Sequence, residues 1–87
     1  MTHEQHNLFT RARLSLEIEY SHYEDTDSLP NEMAMNYITY RAFCSGCNEM
    51  VGHEDEREIL EVQGMRIVIN NKVKDGRVEL TEVSNER

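Results

Sequence analysis

The chain has 87 residues, 38% of them apolar, with no Trp and two Phe, and its 17 Asp and Glu against 9 Lys and Arg give a formal net charge of −8. That length fits one domain, residues 1–87, just above the size at which a core rarely suffices alone, so a metal or an oligomer interface would help it. The charge argues against nucleic acid and against anionic membranes, whose affinity for proteins comes from Lys and Arg; a protein partner with a basic surface fits it better.

The first ten residues, "MTHEQHNLFT", carry neither the positive segment nor the apolar segment of a signal peptide. The longest apolar run, Ile67-Val68-Ile69, is far short of a membrane span. A cytosolic protein is expected, in which thiols stay reduced. In "RLSLEIEY", Leu14, Leu16, Ile18 and Tyr20 recur at period two, which predicts a half-buried strand. A helix competes: Leu8, Phe9, Ala12, Leu16, Tyr20 and Tyr23 share one helical face, and Thr2-x-x-Gln5 resembles a capping box. The helix would strand Leu14 and Ile18 on its far side, so the strand is the favoured reading.

"YEDTDSLPN" is acidic, holds the only proline, and predicts a loop. "MAMNYITYRAFC" is rich in Tyr, Ile, Thr and Phe and predicts a second strand, antiparallel to the first. "HEDEREILEVQG" crowds its acids into a first turn and predicts a short helix from about Glu54 to Gln63, stopped by Gly64. In the last stretch, Asp75-Gly76 between two β-branched runs predicts a C-terminal β-hairpin with arms Met65–Lys74 and Arg77–Val83; Asn70-Asn71 is a rival turn. The expected fold is α+β: a small antiparallel sheet with one short helix.

Both cysteines, Cys44 and Cys47, fall in C-S-G-C-N. A C-x2-C turn can present two sulfurs to one ion, and Gly46 and Asn48 suit the positive φ that such a knuckle needs. Zn²⁺ wants four ligands. His3 and His6 repeat the x2 spacing and would complete a His2Cys2 set; His53 is the local rival, giving C-x2-C-x5-H. If each chain gives only its two thiols, a homodimer could share one ion. The plainer readings are solvated histidines and a reduced, metal-free cysteine pair. A redox C-x2-C belongs at a helix N-terminus in a βαβ frame, and the acidic flanks here would blunt its reactivity.

The order of a knuckle, two strands, a second knuckle and an acidic helix resembles the YgiT-type zinc finger, the N-terminal domain of MqsA-like antitoxins. "YRAFCSGCNEMVGHEDEREILEV" is similar to that family's second knuckle and helix, and His3-Glu4-Gln5-His6 stands where its first cysteine pair would be. The likeness spans residues 1–63. It implies a zinc-stabilised module that binds protein, since the DNA-binding half of such antitoxins has no counterpart in this chain.

Two acidic runs remain: Glu24, Asp25 and Asp27, and Glu54, Asp55, Glu56, Glu58 and Glu61. Solvated loop and helix surface is the ordinary reading; partner binding is the functional one. The four tyrosines read as core and strand-pair packing. The function expected is that of a non-enzymatic regulatory or interaction protein, by analogy with the short acidic accessory proteins of phages and mobile elements. The rivals are a metal-free nucleic-acid mimic that inhibits a nucleic-acid-binding protein, and a small enzyme.

Overall fold

A computed structural model describes residues 2–23, 29–52 and 57–82. Along the chain run helix α1 (His3–Ser21), strand β1 (Glu32–Met35), helix α2 (Tyr37–Met50), and strands β2 (Glu61–Val62), β3 (Met65–Ile69) and β4 (Glu79–Thr81). The class is α+β, but among the described residues there are two helices rather than one and a mixed sheet ordered β2-β3-β1-β4.

The segment read as a first strand is the long helix α1. Its start is set by a complete capping box: the Thr2 hydroxyl accepts from the Gln5 amide, and the Gln5 side chain accepts from the Thr2 amide. Phe9 and Ala12 are buried, and Leu16, Tyr20 and Tyr23 pack against the same core. These positions recur every three to four residues, and their burial outweighs the exposure of Leu14 and Ile18.

The second expected strand divides at Asn36. Met33 and Met35 stay in the sheet; Asn36 then caps α2, its side-chain oxygen accepting from the Thr39 amide at 2.8 Å. The β-favouring run Tyr37–Tyr40 is therefore helical, because a cap and a tertiary environment override propensity on that scale. The same side chain donates to the Val73 carbonyl (3.0 Å) and the Asp75 carboxylate (2.6 Å), and Thr39 accepts from the Gly76 amide (2.9 Å). The loop after β3 is thereby fastened to the start of α2.

Residues 57–60 of the expected acidic helix have no regular structure, and 61–62 form β2. Gly64 closes a β2–β3 hairpin instead of stopping a helix: Gln63 and Gly64 have φ of 51° and 81°, the pair of positive values that a two-residue type I′ turn requires. The expected C-terminal hairpin does not form either. Asp75-Gly76 is a turn, with the Arg77 amide bonded to the Lys74 carbonyl, but its flanking strands go to opposite sides of β1. β3 pairs with β1 in parallel (Met33 opposite Ile67), and β4 pairs with β1 antiparallel (Met33 opposite Leu80). A parallel pair needs a long crossover, which α2 supplies.

Met33, Met35, Met65 and Leu80 form one buried layer of the sheet, joined by Phe9, Ala12, Phe43 and Val78. Glu32, Arg66, Glu79 and Thr81 alternate with them on the other face, where Arg66 and Glu32 form a surface ion pair at 3.1 Å. α1 also covers the outer edge of β4. Ser15 both accepts from the Val78 amide and donates to its carbonyl, and Tyr23 donates to the Leu80 carbonyl. That edge is thus closed to strand addition. The helices meet at Gly46, where an added Cβ would run into the Phe9 ring. Among the described residues, no helix is long and apolar enough to cross a membrane.

Candidate functional site

The C-x2-C motif is not a turn. It lies about two turns inside α2. At that spacing the two side chains share a flank of the helix. Both are free thiols, Cys44 buried and Cys47 half-buried. Burial pushes the Cys47 thiol up, and the neighbouring Cys44 adds to the effect, against a smaller opposing pull from Arg13. A mid-helix thiol pair lacks the N-terminal dipole that activates a redox motif.

His3 and His6 are exposed in the first turns of α1. Among the described residues, no three His, Cys, Asp or Glu side chains converge where one ion could be held. The His2Cys2 set of His3, His6, Cys44 and Cys47 is therefore not assembled within the chain. The helix carries the two sulfurs where a knuckle would need a turn, and the histidines belong to a different helix. His53 lies outside the described residues, as do Glu24, Asp25, Asp27, Glu54, Asp55 and Glu56. Of the acidic candidates, Glu58 and Glu61 are described, and both are exposed.

What α2 does build around Cys44 is a pocket of about 280 Å³, lined by Tyr37, Tyr40, Arg41, Cys44, Arg57 and Glu58. One wall is the helix, on which Tyr37, Tyr40, Arg41 and Cys44 follow each other at helical spacing. The other wall is the irregular segment 57–60, and two hydrogen bonds hold it there. Tyr40 Oη donates to the Ile59 carbonyl at 3.0 Å, and Asn48 Nδ2 donates to the Arg57 carbonyl at 3.0 Å. Asn48 also donates to the Cys44 carbonyl at 2.8 Å.

The Tyr40 hydroxyl is pushed up to about 12, chiefly by burial, then by its hydrogen bond and charge interaction with Cys44 and by the charge of Glu58; its bond to Ile59 opposes the shift. At neutral pH it is a donor that fixes the 57–60 wall, not a base. At the rim, Arg41 Nη1 donates to the Tyr37 hydroxyl at 3.1 Å, and the guanidinium lies 5.9 Å from the Tyr37 ring centroid. That stacking keeps an aromatic face and a cation side by side on the surface.

Of this set, the sequence singles out Cys44 and Glu58. Tyr37 and Tyr40 read as strand packing, and Arg41 and Arg57 went unremarked. The missed signal is Asn36-x-x-Thr39, which marks a helix start; from it, Tyr37, Arg41 and Cys44 fall on one face at i, i+4 and i+7. Comparisons of the chain with protein-family models, with curated proteins and with solved structures found no match.

Proposed function

We propose that the chain is a non-enzymatic protein-binding module of the cytosol that engages its partner at the pocket between α2 and residues 57–60. The observation that carries this reading is the lining itself. Two tyrosines and two arginines surround the pocket, with Tyr37 50% exposed at its rim. Tyrosine and arginine are, with tryptophan, enriched at interface hot spots, each giving a large contact area with a polar end. The net charge of −8 supports a partner with a basic surface, drawn in at long range and engaged near Glu58 and Glu61. The same charge opposes nucleic acid. The elevated Cys47 and Tyr40 pKa values keep both groups protonated at neutral pH, which supports binding over thiol or phenolate chemistry.

A photo-crosslinking residue placed at Tyr37, with a control at Thr81 on the exposed sheet face, tests this reading in the native cell. The expected result is one protein captured from position 37 and not from 81, lost when Arg41 and Arg57 are reversed to Glu. Association with the captured partner should slow as salt rises. Equal capture from both positions, or capture indifferent to the arginine reversals, overturns the proposal.

A further inference from the structure

α1 has a second apolar stripe. Leu14 and Ile18, one turn apart, are 54% and 60% exposed. They lie on the side of the helix opposite Phe9, Ala12 and Leu16, which face the core. With Arg11, Ser15, Glu19, Gly76 and Arg77 they line an open groove of about 310 Å³. The floor is fixed: Ser15 is bonded to both backbone groups of Val78, and Arg11 Nη2 donates to the Asp75 carbonyl at 3.0 Å. Glu19, at the other end, lies 3.6 Å from His22. None of these residues belongs to the pocket on α2.

The order of charges along the groove is self-complementary. Arg11 and Glu19 are centred on position 15, and Leu14 and Ile18 on position 16. An antiparallel copy of α1, related by a two-fold axis near these positions, sets Leu14 against Ile18 of the second copy. It also sets Arg11 against Glu19 of the second copy, and does so twice. In an antiparallel helix pair the same flank of each helix meets across the axis, and Arg11 and Glu19 lie on the same flank, next to Arg77. A closed two-fold interface requires this kind of self-matching patch. A chain of net charge −8 repels its own copies at a distance, so local matching of this kind is what association needs.

We infer that the outer face of α1 is a homodimer interface, with two antiparallel α1 helices packed at Leu14 and Ile18 and tied by reciprocal Arg11–Glu19 pairs. Sedimentation equilibrium tests it at about 100 µM, where a micromolar dimer is close to saturated. The wild-type chain should sediment as a dimer. Leu14→Asp and Ile18→Asp should be monomers with unchanged circular dichroism, since both side chains are exposed.

The decisive arm uses charge. Arg11→Glu and Glu19→Arg should each dimerise at least about tenfold more weakly, because like charges meet twice. Mixed one to one they should recover a heterodimer, in which both pairs are opposite again. A monomeric wild type overturns the inference. So does a dimer that survives the aspartates, and so does a mixture that stays monomeric, as it would if the groove served another protein's helix.

Discussion

The two helices are held in different ways. α1 carries its own start signal, the Thr2–Gln5 box, and Arg11 and Ser15, with Tyr23 just past its end, bond residues far away in the chain: Asp75, Val78 and Leu80. α2 is capped by a buried residue that also bonds the 73–75 loop, and it is bonded at Thr39 to Gly76 and at Tyr40 and Asn48 to the backbone of segment 57–60. It buries six residues where α1 buries two. α2 is the scaffold, and the surface it shows is a pocket rim. α1 has a stripe left over.

That contrast breaks most visibly at Asn36. Asn36→Ala removes the cap of α2 and leaves the Thr39 amide and the Val73 carbonyl short of a partner. We expect a loss of about 3 kcal/mol, a cap contributing roughly 1 and each orphaned buried group 1–3. The midpoint of urea unfolding measures it. The contrast fails if the loss is no larger than that of Thr2→Ala.

Gly46→Ala is next. Helix propensity alone would favour alanine, but its Cβ would overlap the Phe9 ring, so we expect a net cost of about 1–3 kcal/mol, as overpacked cores show. Phe9→Leu in the same chain should recover part of it. A neutral or stabilising Gly46→Ala would mean that α1 and α2 are not in close contact.

Alkaline pH should loosen the α2 side first. The folded pKa values of Tyr40 and Cys47 lie above their ordinary ones, so the stability tied to their protonated forms is intact below the unfolded values and is lost as pH rises through the folded ones. The window opens near the normal thiol value and closes near 12, where a tyrosinate absorbance step should appear that Tyr40→Phe removes.

Thr2→Ala should cost only about 0.5–1 kcal/mol, since the box is exposed and local. Smallest of all is the effect expected from a chelator. With two thiols on one helix and no third described donor converging on them, removing metal should leave the urea midpoint where it was. A midpoint that falls on chelation, and in His53→Ala alike, would instead show zinc held by Cys44, Cys47 and His53.

Which parts of this were legible beforehand follows from the range of each signal. The Thr2–Gln5 box announced α1, but Leu14 and Ile18 supplied a period-two pattern that competed with it, because the helix exposes them. Tyr37–Tyr40 carries strand propensity, and only the cap at Asn36 reveals the helix, through contacts 37 and 39 residues away in sequence. Asp75-Gly76 forms the turn that its residue types predict. Its strands were mispaired, because turn chemistry is local while the partner of β3 and β4 is β1. The Gln63-Gly64 hairpin was hidden by helix-forming neighbours. At the site, the thiols were found and their surroundings were not. A pocket made by a helix and a segment of irregular backbone leaves no spacing to read.

The position of β1 governs the order in which the molecule can be built. It is one of the two inner strands, and Met33 finds one neighbour at Ile67 and the other at Leu80. During synthesis β1 and α2 leave the ribosome before either partner has emerged, so the sheet has nothing to nucleate on until the final third of the chain is out. Pairings that distant in sequence also slow folding. Until residues 79–81 are out, Met33 and Met35 have no lid on one side, and α1 has no β4 edge to clamp. A nascent chain arrested before Glu79 should therefore remain sensitive to protease along its whole length, and protection should come in a single step within a few residues of Thr81 clearing the exit tunnel.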